Sequence, residues 1–329
     1  MYFDQCPGKI LDVIRTNCAL SIKPILIMMV GLQGSGKSTL ANEIKAYIEI
    51  VTETKVYIHS SDKLRKEMFG KEDTQDKNAI LFQELHNRIK NDLINNRIVI
   101  YDATNINKRK RAAFLHELQN NKQIINLCTI CLCIATSLED CINSLATRKD
   151  GVNVPYKVLE KYYKSWQPPH WSEGWDNILY VYRKKYFNYI SDLILESINY
   201  NQNNKHHSYD LSVHHNKTKE YIKLFYNKTN RYLEYAANIH DLGKMFCEFK
   251  DNSGESHFYG HESVSSYLSM LDMDSQSVDD TVYVTNLIYL HMLPYNKNID
   301  RKINEIKNKY GDEFYNDLII LHEADIASH

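Results

Sequence analysis

The hydrophobic positions in the first half of the chain follow two alternating spacings. Short continuous apolar runs, of the length of buried strands, alternate with stretches in which apolar residues recur every three or four positions, as on one face of a helix. The runs predict strands at residues 25–30, 56–59, 98–101, 124–134 and 178–182, and the amphipathic stretches predict helices at 38–50, 63–69, 78–95, 108–121, 137–147 and 157–164. This alternation predicts an α/β fold in which helices cover both faces of a parallel sheet.

The alternation ends near Arg183. Residues 186–198 keep a helical spacing, and the Asn-rich polar stretch that follows at 199–205 predicts an exposed linker. Beyond it the strand signals largely vanish, and helices are predicted at residues 217–226, 231–246, 261–271, 279–291, 299–310 and 312–327. We therefore predict a first domain at residues 1–185, a linker at 186–206 and an all-α second domain at 207–329, whereas residues 1–23 predict no element.

Composition narrows the class of protein. With 43% hydrophobic and 25% charged residues, the chain is neither wholly disordered nor collagen-like. The 40 Lys and Arg residues nearly balance the 41 Asp and Glu residues, which excludes a strongly basic nucleic-acid coat but not a local basic groove. No apolar run approaches the roughly 18–20 residues that span a bilayer, and the N-terminus has no secretion-signal pattern, so we expect neither membrane insertion nor secretion.

The cysteines indicate a reducing compartment. Their number, seven, is odd, and they do not form a disulfide framework. Cys128, Cys131 and Cys133 share one apolar run, which we interpret as a buried strand. A zinc site is the alternative, but no second Cys-x-x-Cys pair would complete four ligands. We expect the protein in the cytoplasm.

A phosphate-binding motif lies between the first predicted strand and the next helix. The sequence from Gly31 to Ser38, GLQGSGKS, fits GxxxxGK[ST] in the strand–loop–helix context that this motif requires. Glycines let backbone amides turn towards phosphate oxygens, the lysine reaches the β- and γ-phosphates, and the serine hydroxyl binds Mg²⁺. The predicted nucleotide-binding residues are Gly31, Gln33, Gly34, Ser35, Gly36, Lys37, Ser38 and Thr39.

Charged residues follow the next strands at the edge where ligands of parallel sheets bind. Asp62 could accept the proton of an attacking hydroxyl, or it could cap the following helix. Arg65, one turn later, could hold a phosphate of the acceptor or be a solvated charge. Asp102 could complete the Mg²⁺ shell or orient an active-site group, and Arg148 could close over the triphosphate. The basic run 108–111 could contact substrate or form a solvated helix face.

These motifs resemble the kinase domain of the phage polynucleotide 5′-kinase family. The resemblance rests on GLQGSGKST, SDKLR, YDATNINKRKR and RKDGVNVPYKVLEKYYKSW, and covers residues 25–183. It implies that Lys37 and Ser38 bind ATP and metal, and that Asp62 is the general base on a nucleic-acid 5′-OH. It further implies that Arg65 grips the acceptor's phosphate, Asp102 is an active-site carboxylate and Arg148 is a lid arginine.

The second half contains His and Asp residues spread over several predicted helices. Side chains from different helices can converge in a bundle and hold one or two divalent metals. A mixed nitrogen and oxygen set favours Mn²⁺, Fe²⁺, Co²⁺ or Ni²⁺ over Mg²⁺. Most histidines in helices are not ligands, and we expect His207, His215 and His322 to be bystanders. The predicted metal ligands are His214, His240, Asp241, His261, His291 and Asp325.

This half resembles the HD superfamily of metal-dependent phosphohydrolases. The resemblance rests on HHSYDLSVHH, ANIHDLGK, HFYGHE, LIYLHMLP and LHEADIASH, and covers residues 205–329. The ligand order is similar to that of members that hold two metals. The resemblance implies that His214 is the first ligand, with His215 as the alternative, and that Lys244 and His257 lie near the substrate phosphate.

Together the two halves resemble bacterial end-healing enzymes that join an HD phosphoesterase to a polynucleotide kinase, here with the kinase first. This implies phosphorylation of 5′-OH ends of RNA or DNA and removal of a 3′-phosphate or 2′,3′-cyclic phosphate. A ligase would then act on the products. Two alternatives stay open: a small-molecule or nucleoside kinase joined to an HD nucleotidase, and a non-catalytic nucleotide sensor.

Overall fold

The structure is a computed structural model, and it describes residues 1–17, 24–70, 77–148, 154–203, 209–226, 230–296 and 302–329. Its contacts divide the chain into two units. The sheet unit comprises Met1–Tyr156 and Glu173–Lys184, and the helical unit comprises Lys157–Ser172 and Lys185–His329. The division places residues 157–172, predicted in the first domain, with the helices. Where independently folding domains begin and end remains a prediction.

The sheet unit contains a five-stranded parallel sheet, as the sequence predicted. The strands lie in the order β2-β3-β1-β4-β5. They are β1 (Ile25–Val30), β2 (Val56–Ser60), β3 (Ile98–Asp102), β4 (Cys128–Ala135) and β5 (Asn177–Tyr182). Its helices are α1 (Cys6–Asn17), α2 (Lys37–Thr52), α3 (Ser61–Phe69), α4 (Asn78–Ile94), α5 (Lys108–Gln119) and α6 (Leu138–Ala146).

Every residue of β1 and β4 is buried, which is why both read as unbroken apolar runs. Cys128, Cys131 and Cys133 all lie in β4, which confirms the interpretation of a buried strand. The strand begins at Cys128 rather than at residue 124. Asn126 has a φ of +58°, a left-handed conformation that turns the chain just before the strand.

The N-terminal helix α1 was not predicted. Its buried residues Cys6, Ile10 and Ile14 recur every four positions and join the core of the sheet unit. That spacing is typical of one face of a helix. The sequence therefore contains the helical pattern, but only over a short stretch.

The helical unit consists of short helices. They are α7 (Tyr156–Tyr163), α8 (Tyr189–Glu196), α9 (Leu211–Phe225), α10 (Arg231–Ile239), α11 (Lys244–Cys247), α12 (His261–Leu271), α13 (Val278–Leu290), α14 (Ile303–Tyr310) and α15 (Asp312–Ala327). Between α11 and α12 a small antiparallel hairpin pairs β6 (Phe249–Lys250) with β7 (Ser256–His257). The prediction of an all-α domain is therefore wrong at this hairpin.

The predicted helix at 231–246 is interrupted. Helix α10 ends at Ile239, and His240 and Asp241 lie in a turn rather than inside a helix. Gly243 packs so closely on α12 that a Cβ there would lie 2.2 Å from the carbonyl oxygen of His261. Only glycine leaves room for this contact, which brings the turn against the start of α12.

The segment predicted as a linker is partly structured. Helix α8 lies within it and buries Ile190 and Leu193. Gln202 is 1% exposed, which contradicts the expected exposure of the polar stretch. Its amide oxygen accepts a hydrogen bond from Lys244, and this contact offsets the cost of burying a polar side chain. Residues 204–206 lie outside the described residues.

Among the residues that the structure describes, no helix is both long enough and apolar enough to cross a membrane.

Candidate active sites

The phosphate-binding motif forms a loop between β1 and α2. Gly34 and Gly36 have φ values of +78° and +95°, conformations that favour glycine. A Cβ on Gly34 would also lie 2.4 Å from the carbonyl oxygen of Cys141, so the loop has no room for a larger residue there. Gln33 buries a side-chain oxygen that has no hydrogen-bond partner, and Thr39 is exposed on the first turn of α2.

The Lys37 side chain contacts the phosphate-binding loop itself. Its ammonium is largely buried and donates to the carbonyl oxygen of Leu32 (2.5 Å) and to Ser35 Oγ (3.5 Å). Burial lowers the pKa of Lys37, and the nearby Asp102 opposes part of that shift. The lysine is thus held in place by loop oxygens rather than by a carboxylate, and a phosphate can replace those contacts.

Asp102 contacts the phosphate-binding loop directly. It is the last residue of β3, which lies beside β1, and it is buried. Ser38 Oγ donates a hydrogen bond to Asp102 Oδ2 over 2.7 Å. A serine hydroxyl beside a carboxylate is the oxygen pair that binds Mg²⁺ in P-loop proteins, so these two residues fit such an ion.

Asp62 lies at the same edge of the sheet. The residue Ser60 pairs in register with Asp102, and Asp62 follows two residues later in the first turn of α3. The alternative role of Asp62 as helix cap is not observed, because Ser60 occupies that position. The Asp62 side chain is 60% exposed, and its Oδ2 lies 3.6 Å from Arg148 Nη2. The carboxylate is therefore accessible to an acceptor.

The remaining basic residues have distinct surroundings. Arg65 Nη2 donates to Asn78 Oδ1 over 2.5 Å. Arg111, the last residue of the predicted basic run, is 2% exposed and makes two hydrogen bonds to Glu173, of 2.7 and 2.8 Å. It is a buried structural ion pair, neither a solvated charge nor a substrate contact. Residues 149–153, which follow Arg148, lie outside the described residues.

In the helical unit, the six predicted ligands lie together. One group consists of His214, His240, Asp241 and Asp325, and a second consists of Asp241, His261 and His291. All six residues are buried, and within each group the ligand atoms lie within 4.8 Å of one another. Asp241 belongs to both groups, so its two carboxylate oxygens can serve two ions. The geometry includes His214 and leaves out His215.

The four imidazoles of the cluster share one hydrogen-bonding pattern. Each Nδ1 donates to a backbone carbonyl oxygen, and because such an oxygen only accepts, the proton of the neutral ring is on Nδ1. The partner carbonyls belong to Ser328 for His214 (3.2 Å), Ala237 for His240 (2.9 Å), Phe258 for His261 (2.8 Å) and Ile288 for His291 (2.6 Å). This arrangement directs the lone pair of each Nε2 at the cluster.

The Nε2 atoms face one another in pairs. His214 and His240 approach to 3.4 Å, and His261 and His291 approach to 3.3 Å. Asp241 Oδ1 is buried without a hydrogen bond of acceptable geometry, although His261 Nε2 lies only 3.1 Å away. In the neutral rings, the facing lone pairs and the unsatisfied carboxylate oxygen repel unless a proton or a metal ion lies among them, so these residues fit a metal ion.

Charges around the cluster favour an ionised Asp241. Burial alone would raise its pKa, but Lys244 and His240 outweigh burial, and the pKa lies well below its usual value. Burial disfavours charged His214, but hydrogen bonds to Asp241 and Asp325 outweigh it and raise its pKa to about 9. A metal ion would displace that proton.

Lys244, which the resemblance places near the substrate phosphate, lies against the His and Asp cluster. Its Nζ lies 2.6 Å from Asp241 Oδ2 and donates to Gln202 Oε1 over 2.8 Å. The lysine therefore contacts the shared carboxylate directly. His257, also expected near a substrate phosphate, lies 3.1 Å from Asp251 and stacks on Tyr259.

Sequence reasoning missed several residues that support the cluster. Tyr295 donates to Asp325 Oδ2 over 2.7 Å, and His329 Nε2 lies 3.4 Å from Asp325 Oδ1. Of the expected bystanders, His215 is buried beside His240 with neither ring nitrogen hydrogen-bonded, and His322 packs edge-on against Tyr295. His207 lies outside the described residues.

A parallel sheet of this order with a glycine-rich loop, a buried lysine and a Ser–Asp pair at one edge defines a P-loop, kinase-like nucleotide-binding domain. Comparison with protein families gives the particular family. Residues 25–250, well over half of the chain, match the family described as "Chromatin associated protein KTI12". The chain belongs to the KTI12 family, and the match runs from β1 into the helical unit.

Other comparisons add little. A gluconokinase from Sinorhizobium meliloti 1021 is 17% identical in sequence, with 48% of this chain and 82% of that chain covered. The TM-score of 0.32 is too low to bear on function. No curated protein matches the chain. The comparisons do not identify an HD domain, so that assignment depends on the buried His and Asp cluster.

Proposed function

We propose that this KTI12-family protein is a bifunctional enzyme that processes nucleic-acid ends. The sheet unit transfers the γ-phosphate of ATP to a 5′-OH, and the helical unit hydrolyses a 3′-phosphate or a 2′,3′-cyclic phosphate. The observation that carries the proposal is the pairwise approach of four imidazole Nε2 atoms around Asp241, in a chain that also holds a P-loop.

In the sheet unit, the side chains around the P-loop supply what phosphoryl transfer needs. Lys37 neutralises the β- and γ-phosphates, and Ser38 with Asp102 holds Mg²⁺. The exposed carboxylate of Asp62 takes the proton of the attacking hydroxyl. Arg148 stabilises the charge that develops on the transferred group, and Arg65 positions the acceptor.

In the helical unit, four histidines and two aspartates would hold divalent transition metals such as Mn²⁺, Fe²⁺, Co²⁺ or Ni²⁺. When bound, such metals make water nucleophilic at neutral pH and polarise a phosphoryl oxygen. Backbone carbonyls fix the four imidazoles in one tautomer. Lys244 holds Asp241 in its ionised form and adds positive charge that favours an anionic substrate.

The substrate class follows from the resemblance of the P-loop half to polynucleotide 5′-kinases. The two activities would leave a 3′-OH and a 5′-phosphate on RNA or DNA, which are the ends that a ligase joins. We therefore expect a nucleic-acid ligase to act on the products.

A direct test incubates the protein with labelled ATP, Mg²⁺ and 5′-OH oligonucleotides of RNA and of DNA. A second reaction supplies Mn²⁺, Co²⁺ or Ni²⁺ and oligonucleotides that end in 3′-phosphate or 2′,3′-cyclic phosphate. Label transfer and phosphate release support the proposal. Transfer to nucleosides but not to oligonucleotides would favour a small-molecule kinase, and ATP binding without turnover would favour a nucleotide sensor.

A matched pair of variants separates the two sites. Lys37→Ala should abolish transfer and leave phosphate release intact, and Asp241→Asn should do the reverse. If one substitution removed both activities, the two sites would not act independently, and the proposal of two separate chemistries would fail.

A further inference from the structure

A glutamine outside the ligand set is connected to the histidine cluster of the helical unit. Gln202 lies before α9, in the polar stretch that the sequence predicts as a linker, and it is 1% exposed. Its Oε1 accepts a hydrogen bond from Lys244 Nζ over 2.8 Å, and the same Nζ lies 2.6 Å from Asp241 Oδ2. One ammonium group therefore joins the glutamine to the carboxylate that belongs to both groups of proposed ligands.

The surrounding backbone holds Gln202 in one orientation. Its Nε2 donates to the carbonyl oxygen of Tyr209 over 3.3 Å, which sets the direction of the amide and leaves Oε1 for the ammonium. The carbonyl oxygen of the next residue, Asn203, accepts a hydrogen bond from the N–H of Ser256 in β7 over 3.1 Å. A buried amide that is hydrogen-bonded at both ends presents its acceptor at a fixed place.

The two carboxylate oxygens of Asp241 have different surroundings. Oδ1 has no hydrogen bond of acceptable geometry and lies 3.1 Å from His261 Nε2 and 3.4 Å from His291 Nε2. Oδ2 lies beside Lys244 and 3.4 Å from His214 Nε2. A metal ion that binds Oδ2 therefore shares this oxygen with an ammonium, which occupies a lone pair and repels the ion.

We propose that Gln202 is a positioning residue that sets the metal affinity of the cluster through Lys244. The inference rests on the proposed function of the helical unit as a metal-dependent phosphohydrolase. An ammonium has three donors, and the amide oxygen of Gln202 engages one of them and holds the charge beside Asp241. Without that acceptor, the buried ammonium satisfies this donor at Asp241 and competes with the metal ion for Oδ2.

The test measures the Mn²⁺ affinity of the full-length protein, stripped of metal with a chelator, by isothermal titration in excess Mg²⁺. The Mg²⁺ occupies sites of oxygen ligands such as Ser38 and Asp102, which leaves the histidine cluster for Mn²⁺. Gln202→Met keeps the length of the side chain but removes the acceptor, and should weaken Mn²⁺ binding by about tenfold or more. Gln202→Glu restores an acceptor and draws the ammonium away from Asp241, so its Mn²⁺ affinity should equal or exceed that of the wild type.

Two further comparisons separate this role from a loss of packing. Gln276→Met removes a half-buried amide whose Oε1 accepts hydrogen bonds from Arg231 (3.1 Å) and Tyr232 (3.0 Å), outside the cluster, and should leave Mn²⁺ affinity unchanged. In a Lys244→Met background, Gln202→Met should have no additional effect, because the glutamine acts only through the ammonium.

Four results would overturn the inference. They are wild-type Mn²⁺ affinity in Gln202→Met, an equal loss in Gln202→Glu, an equal loss in Gln276→Met, and a loss of affinity that persists in the Lys244→Met background. The second and the fourth would mean that Gln202 supports only the packing of the helical unit.

Phosphate release from a 3′ end, measured on the same samples, tests the proposed function separately. Wild-type protein that binds Mn²⁺ but releases no phosphate would refute the proposed hydrolysis and leave the role of Gln202 intact. Phosphate release by the wild type, together with unchanged Mn²⁺ affinity in Gln202→Met, would refute only the role of Gln202.

Discussion

The phosphate-binding site of the sheet unit and the histidine cluster of the helical unit are built in different ways. Around the P-loop, backbone conformation shapes much of the site, and the proposed base, Asp62, is largely exposed. Around Asp241, every proposed metal ligand is buried, and each of the four imidazoles is oriented by a hydrogen bond from Nδ1 to a backbone carbonyl oxygen. Under the proposed function, substrates would complete the first site, whereas the side chains of the second are already held in place by hydrogen bonds.

This difference has a consequence for mutational sensitivity. An exposed residue in the first site can be replaced at little cost to stability, so a loss of rate reports chemistry. A buried residue in the second site takes part in both folding and binding, because metal binding is coupled to folding. Each variant of that site needs a structural control.

The largest effect is expected at Asp241. Asp241→Asn removes the carboxylate common to both metal groups and should reduce bound transition metal and phosphate release to background, while kinase activity persists. Metal content by atomic emission, measured beside both activities, checks this. His322→Ala is the control, since His322 lies outside both groups. Full phosphate release by Asp241→Asn would exclude the cluster as the catalytic centre.

The next effect is expected at Asp62. Asp62→Asn keeps the shape of the side chain but removes the base, so kcat for transfer to a 5′-OH should fall by about 10²–10⁴-fold. ATP affinity should be unchanged, as measured by equilibrium titration. Transfer at the wild-type rate would mean that Asp62 has no role in proton transfer.

A stability effect is expected at Glu173, away from both sites. Glu173→Gln leaves the buried Arg111 guanidinium without its counter-charge and should lower the free energy of unfolding by about 3–5 kcal/mol. Glu117→Gln breaks the exposed pair with Lys90 and should change it by about 0–1 kcal/mol. Urea unfolding of both variants makes the comparison, and similar values would contradict it.

The smallest effect is the contribution of His86 to the pH dependence of folding stability. Burial lowers the pKa of His86 from 6.5 to about 4, and the ring stacks on Phe114 at 3.8 Å. Above pH 6.5 the ring is neutral in the folded and unfolded chains. As the pH falls from 6.5 towards 4, the unfolded chain binds the proton first, so stability is lost in this window.

Urea unfolding at several pH values measures this slope. His86→Gln should reduce it, whereas His116→Gln, at an exposed position of α5, should not. An unchanged slope in His86→Gln would assign the acid sensitivity to other groups.

The sequence predicted what depends on neighbours along the chain. The five strands and the P-loop follow from local spacing and residue type, and the six clustered His and Asp residues were recognised by residue type. The interrupted helix at His240 could not be predicted, because the interruption depends on the contact between Gly243 and α12. Arg111 shows the same limit, since its partner Glu173 is 62 residues away.

The contacts that orient the site residues could not be predicted from the sequence either. Gln202 lies in a polar stretch typical of a linker, yet it holds Lys244 through an interaction across 42 residues. Tyr295 and the carbonyl of Ser328 contact the proposed ligands Asp325 and His214, which are 30 and 114 residues away. Hydrophobic spacing reports which face of an element is buried, not which polar groups meet there.

The small size of Gly243 also affects the geometry of the whole histidine cluster. Its N–H donates to Ser265 Oγ over 2.8 Å, and its Cα lies against the backbone at the start of α12, where His261 begins the helix. A methyl group at this position would push apart the turn that carries Asp241 and the helix that carries His261. The distance between the Asp241 carboxylate and the His261 imidazole therefore depends on a residue that has no side chain and belongs to neither group of proposed ligands.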